Sequence, residues 1–507
     1  MKTRSRYPTL LQIDVRHYLS ERAAALGRPA TLDDIPDIDL GGWAEAGFDL
    51  IWCMGAWQTG PAGRRVSATH PEWLEEYRRA LPDFQASDVC GSCFAIQDYR
   101  GHAALGGDEA LDRLRRRLNH RGLRLILDFV PNHTALDHRW TISHPDYYIN
   151  GNEAQLTDSP GDYCRITTPE EVRILAHGRD PYFPAWPDTL QLNYGNPDLR
   201  AAMRRVLHAV ALRCDGVRCD MAMLILPEVF ERTWGIRTEP FWPGVTQRLH
   251  AEMPGFLFLA EVYWDLEWTL QQQGFDYTYD KRLYDRLRAL HARPVREHLL
   301  AGSDFQDRLA RFLENHDEPR AAAVFTPPAH RAAATVTYLA PGLRFFHHGQ
   351  LQGRKVRVPV HLERGPAEPV DAAVADFYQR LLACLRDPAV RDGGWVLLAC
   401  RPAWDGNHTA EDFVAYAWSG RHGEKYLVAV NLSDHPGQCY VTLSSWNDLG
   451  GKTWRLRDRM GMETHLRDGD DLQASGLYLD VPAWACHVFA IGEARDTGET
   501  PQRDTDQ

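Results

Sequence analysis

Seven short runs of Val, Ile, Leu and Phe, each ending in polar or charged residues and followed by a helical pattern, constrain this chain more than any other feature. They occupy 10–15, 48–53, 123–130, 215–220, 256–262, 310–315 and 343–346. Unbroken apolar runs suit strands covered on both faces, and their alternation with helical segments such as 109–121 predicts a parallel sheet. A weaker run at 275–279 brings the count to eight. The expectation is an α/β fold, a (β/α)8 TIM barrel, in which side chains at the C-terminal ends of the strands carry the chemistry.

The spacing of strand ends divides the chain further. Asp220 and Glu261 lie 41 residues apart, which suits one strand-helix unit, whereas Asp128 and Asp220 lie 92 apart, about twice that. An inserted lobe after strand 3 is therefore expected at 131–193, where aromatic and turn residues cluster (HPDYYINGN, RDPYFPAWPD). The barrel then comprises 1–130 and 194–392. From 393 to 492 the stretches FVAYAW, KYLVAVNLS, QCYVTLS and WACHVFAIG alternate with turn residues, which predicts a C-terminal all-β sandwich domain. The segment 493–507 has almost no apolar residues and reads as a disordered tail.

Composition limits the partners. A net charge of −12 excludes nucleic acid as the main partner, because phosphate contacts need clustered Lys and Arg. No stretch approaches the roughly 20 apolar residues of a membrane span, and the start, MKTRSRYPTLLQIDVRHYL, lacks the pattern of a leader. The expectation is a cytoplasmic protein without a membrane partner; its oligomeric state is left open. The ten cysteines have no framework spacing and read as reduced. The pair Cys90 and Cys93 reads as a loop, since a zinc site would need further ligands close by.

In DGVRCD, strand geometry puts Arg218 and Asp220 on one face. If that face is the barrel interior, the arginine lowers the pKa of the carboxylate and equips Asp220 as a nucleophile; a self-satisfied buried pair is the plain alternative. Glu261 closes the apolar run FLFLAEVYW beside two aromatics, where exclusion of water raises a carboxyl pKa and suits a general acid. A glutamate that merely reaches solvent is the alternative there. Asp317, with His316 beside it in FLENHDEPR, supplies a third acid from a third strand end. Three acids at three strand ends of one barrel point to function, because burying charge is costly. An ionised and a protonated carboxyl group flanking an acetal carbon are the machinery of glycoside hydrolysis.

LDFVPNH (127–133), GVRCD (216–220), AEVYW (260–264) and ENHD (314–317) resemble, in order and spacing, the four short motifs of the alpha-amylase family, glycoside hydrolase family 13. The resemblance implies that Asp220 attacks the anomeric carbon and that Glu261 serves as acid and then base. It implies that Asp317 grips the sugar's 2- and 3-hydroxyls, with His316 beside it and His133 near the 6-hydroxyl. Where many members carry Gly-Tyr-Asp, this chain has SCFAIQDY: Phe94 can stack on a sugar, but Ala95 cannot accept a hydrogen bond. Its loss leans toward a site open to longer chains. Trp57, Trp140, Trp186, Tyr263 and Trp264 are further stacking candidates. No cofactor is needed for the chemistry. Asn132 matches the family's calcium-ligating Asn and leaves room for a structural calcium ion, or else it bonds within the lobe.

The implied activity is retaining hydrolysis of α-glucosidic bonds in malto-oligosaccharides or α-glucans. A transglycosylase of the same family, a glucanotransferase or isomerising enzyme, shares the covalent intermediate and is the second reading. A catalytically silent carbohydrate-binding homologue is the third.

Overall fold

A computed structural model describes residues 5–168 and 171–494. Eight parallel strands close into a barrel: β1 (Thr9–Asp14), β2 (Leu50–Met54), β3 (Arg124–Phe129), β4 (Gly216–Cys219), β5 (Leu257–Ala260), β6 (Tyr277–Tyr279), β7 (Leu309–Arg311) and β8 (Leu343–His347). Closure runs through β1, which pairs with β8 at Thr9↔Arg344 and with β2 at Leu10↔Leu50. The strands are buried almost throughout, as unbroken apolar runs require. At the end of β1, Asp14 accepts from the backbone N–H of Arg16 and of His17 and so starts the helix Val15–Leu26.

The seventh run was expected to stay extended to 315, but β7 ends at Arg311. Asn315 Oδ1 accepts from the N–H groups of Asp317 (2.9 Å) and Glu318 (3.0 Å), which folds the chain into a side-chain turn. The ENHD stretch is thus a loop above the strand, and that loop aims its acid.

Among the described residues, two connections carry β ladders of their own. The one after β3 builds a lobe with the ladders His133–Ala135 with Thr189–Gln191, and Tyr163–Thr167 with Val172–Ala176. The chain then enters the helix Pro197–Ala211, whose N-terminus is capped by Asn196. The other long connection follows β2 and was not foreseen. It holds the helices Pro61–Ser67 and Pro71–Ala80 and the ladder of Trp57–Thr59 with Ile96–Gly101. Asp128 lies 75 residues beyond Cys53, so the spacing argument that exposed the first lobe exposes this excursion as well.

Beyond the barrel, a six-stranded sheet and a three-stranded sheet form an all-β region. The strand Phe413–Ser419 shows how the period of two glues it on. Phe413, Ala415 and Ala417 join the core shared with the smaller sheet, while Val414, Tyr416 and Trp418 join the barrel core. On that side Tyr416 Oη donates to the Thr335 carbonyl (3.1 Å) and Trp418 Nε1 to the Leu339 carbonyl (2.9 Å). The final strand, Cys486–Glu493, takes in the first residue of the expected tail; from 495 onward that expectation lies outside the described residues. Among the described residues no helix is long and apolar enough to cross a membrane.

Candidate active site

Arg218 is the centre of the site. It projects from β4 into the barrel, fully buried, where a guanidinium persists only if its charge and donors are met. Its Nη1 donates to Asp220 Oδ1 at 2.5 Å, its Nη2 lies 2.7 Å from Glu261 Oε2, and its Nε donates to Tyr279 Oη at 3.2 Å. Its planar group also lies 5.1 Å from the ring centroid of Trp52 and 5.2 Å from that of Phe94. One cation therefore bridges two carboxylates carried by adjacent parallel strands.

The backbone explains how the acids reach it. Asp220 and Glu261 each follow the last residue of a strand, and both continue the ladder by one bond, Asp220 N–H to the Phe129 carbonyl and Glu261 N–H to the Cys219 carbonyl. Met221 then adopts φ 41°, left-handed and uncommon for a side chain of its size. That turn aims its N–H at Glu261 Oε2, 2.7 Å away, while Tyr263 Oη donates to Oε1 at 2.9 Å.

Burial decides the protonation of both acids. Glu261, 3% exposed, is pushed up to about 7, chiefly by loss of solvent, with Arg218 opposing and the charges of Asp220 and Asp317 adding to the rise. Asp220, 5% exposed, is raised as well, again by burial against the pull of Arg218. The expectation that Arg218 would hold Asp220 below the usual carboxylate range is thereby corrected: desolvation outweighs the ion pair. Replacing Arg218 with Met should remove the opposing charge, move the acid limb of kcat/KM to higher pH and lower the unfolding midpoint, because the buried acids lose the cation they share. A pH profile with an unmoved acid limb would refute the role given to Arg218.

The loop after β7 brings the third acid. Asp317 is exposed toward the mouth, its side chain 46% accessible, with Oδ2 3.1 Å from His316 Nε2. His316 is buried and 5.3 Å, ring to ring, from Phe94. Gln12, from β1, donates its amide N–H to His316 Nδ1 at 2.8 Å, which places the ring proton on Nε2. Burial pushes this imidazole down to about 3, so it is neutral, and its Nε2, though near Asp317 Oδ2, does not meet it in hydrogen-bond geometry. His133 is likewise neutral, pushed down to about 3 by burial, with its ring 5.2 Å from that of Trp186.

The other aromatic candidates divide. Trp57 is fully buried and donates to the Asp128 carbonyl, and Trp140 packs on Tyr147, so both belong to the framework. Trp186, Tyr263 and Trp264 are half-buried, Tyr263 on the acid itself and Trp264 against Tyr182. Ala95 is buried. Two site residues escaped the sequence reading. Gln12 lacks any local signal, and Asp128, though inside the LDFVPNH motif, was not singled out. Asp128 lies beside Arg218 in the barrel register and accepts from Trp52 Nε1 and from the N–H of Gly55, both at 2.9 Å.

The residues around Asn132 do not fit a calcium ion. The Asn132 side-chain oxygen is taken by the amide of Gln191 at 3.0 Å, and among the described residues no group of three or more His, Cys, Asp or Glu could hold a metal. A hard cation needs six or more oxygens.

A family model described as the alpha-amylase catalytic domain matches residues 85–391. The chain is 23% identical over 317 residues to "Alpha-amylase 3" of Dictyoglomus thermophilum, a match over 57% of this chain and 59% of that protein. It is 28% identical over 212 residues to "Trehalose synthase/amylase TreS" of Mycobacterium tuberculosis, 38% of this chain and 34% of the relative. The matches thus span about a third to three-fifths of the length of these curated relatives. Among solved structures, a noncanonic maltogenic alpha-amylase, AmyB from Thermotoga neapolitana, superposes with a TM-score of 0.68 at 17% identity, covering 96% of this chain and 99% of that one. At that identity the likeness is one of fold.

Proposed function

This chain belongs to the alpha-amylase family, and we propose that it is a retaining glycoside hydrolase acting on α-glucosidic bonds of malto-oligosaccharides or α-glucans. The observation that carries this reading is the single guanidinium of Arg218 shared by Asp220 and Glu261, two buried acids on adjacent strand ends. In the first step an Asp220 carboxylate oxygen attacks the anomeric carbon. The bond from that carbon to the glycosidic oxygen breaks, and Glu261 gives its proton to the departing oxygen. In the second step ionised Glu261 takes a proton from water, the water oxygen bonds to the anomeric carbon, and Asp220 leaves; two displacements retain the configuration. Glu261, with a pKa near 7, suits both duties. Asp317 and the Nε2–H of His316, 3.1 Å apart, stand where an acceptor and a donor can hold vicinal hydroxyls, and Phe94 offers a ring face beside them. Bonds that tighten as the ring distorts contribute to catalysis and not only to affinity.

A sugar in place of water as acceptor would make the protein a transglycosylase. The name of the mycobacterial relative, a trehalose synthase/amylase, and the depth of the two acids, 3% and 5% exposed, favour keeping this second reading, because scarce water favours a bound acceptor. With the function goes a division of the chain into a catalytic barrel at 1–130 and 194–392, a lobe at 131–193 and a β domain from 393 to 492.

Proton NMR of maltoheptaose with the protein distinguishes the outcomes. Shorter products that first appear as α-anomers support the hydrolase; products longer than maltoheptaose support the transferase. First products in the β configuration would exclude the retaining mechanism. No reaction with maltoheptaose, sucrose, trehalose or α-1,6-linked sugars would favour a silent homologue.

A further inference from the structure

Gln191 is fully buried where the lobe joins the barrel, at the end of the strand Thr189–Gln191 and directly across from His133 in the ladder. Its side chain turns back over Asn132, and three oxygens converge on its amide nitrogen: the Asn132 carbonyl at 3.0 Å, Asn132 Oδ1 at 3.0 Å and the Leu192 carbonyl at 3.1 Å. The Gln191 oxygen in turn accepts from Asn132 Nδ2 at 3.1 Å and from the N–H of Arg179 at 3.4 Å. An amide carries only two N–H bonds, yet its nitrogen serves three acceptors. Oxygens from separate chain segments converging on one point is the pattern by which proteins hold a hard cation, but here the point is filled by a neutral donor.

We infer that the Gln191 carboxamide is a built-in substitute for a bound cation: it ties the two ends of the lobe, Asn132 and Gln191, together at its root with no metal at that point. The inference stands apart from the catalytic reading, since it concerns how the seam is held whatever sugar the site takes. A side-chain amide cannot dissociate, so the seam is insensitive to chelators and to free calcium. It also bears on the site, because Asn132 precedes His133, and the two bonds between the Asn132 and Gln191 side chains fix the backbone that presents that imidazole beside Trp186. Gln191 is in that sense a positioning residue for His133.

The test is thermal unfolding of the full chain in chelator and in millimolar calcium chloride, for the wild type, Gln191→Leu and Gln191→Glu, with elemental analysis of the purified wild type. The wild type should hold less than stoichiometric calcium and unfold at the same temperature in both solutions. Gln191→Leu, which strips donors from three buried oxygens, should lose at least about 3 °C in both. Gln191→Glu puts a carboxylate among those oxygens; its midpoint should fall in chelator and recover in calcium. A wild-type midpoint that drops in chelator and returns with calcium would overturn the inference. So would a Leu variant that melts with the wild type, or a Glu variant that calcium does not rescue. Should both variants fail to fold, the wild-type arms still decide.

Discussion

Asp220→Asn is expected to reduce turnover of maltoheptaose by at least about four orders of magnitude while leaving the circular dichroism spectrum unchanged. The amide keeps the shape of the side chain and an oxygen for Arg218 Nη1, which the aspartate meets at 2.5 Å, so the barrel loses no volume. What is lost is the anion that bonds to the anomeric carbon, and no neighbouring acid takes its place, since Glu261 carries the proton and Asp317 stands in the loop above. The variant carries a second signature. Asp220 contributes to the raised pKa of Glu261, so its neutralisation lets Glu261 ionise at lower pH, and any residual activity should decline earlier on the alkaline side. Wild-type activity in this variant would remove Asp220 from the mechanism.

Glu261→Gln separates leaving-group departure from attack. A general acid must be protonated, so wild-type kcat should fall as pH rises through about 7, the value to which burial pushes Glu261. In the Gln variant that alkaline limb should vanish, and kcat on maltoheptaose should drop by about 100- to 10,000-fold. With α-glucosyl fluoride, whose leaving group needs no proton, the first step should suffer far less. An alkaline limb that persists in the variant, or an equal loss on both substrates, would assign the proton to another group. The Arg218→Met profile complements this one: there the acid limb moves, here the alkaline limb disappears.

The legible part of the site was that carried by adjacent residues. Arg218 and Asp220 are two apart on one strand, Glu261 ends an apolar run, and His316 and Asp317 are neighbours, so period-two geometry and strand endings announce them. Phe94 and His133 came instead from the resemblance, and the structure places the first ring to ring with His316 and the second beside Trp186 at the base of the lobe. Gln12 could not be found in this way: it sits in β1, and it is tied to the site by a bond to His316, 304 positions away, which exists because β1 closes the barrel on β8. Trp57 misled in the opposite sense, since a tryptophan near a mouth reads as a stacking ring until its Nε1 is seen to serve the Asp128 carbonyl inside the wall.

The sequence by itself determined the barrel, the long insertion after β3, the β-rich end and two acids, Asp220 and Glu261, at strand ends, because these depend on hydrophobic period and on spacing, which are local and survive without knowledge of contacts. Only the tertiary structure decided the electrostatic state of those acids. Arg218 was expected to govern Asp220, yet closure of eight strands buries the pair so completely that desolvation outweighs the ion pair and raises both Asp220 and Glu261. Asn132 follows the same logic: its motif left a cation or a hydrogen bond within the lobe open, and the partner that takes its side-chain oxygen is Gln191, 59 residues further on, which chain folding brings to within 3.0 Å. Burial and long-range pairing are sums over the whole packed molecule, so no window of sequence contains them.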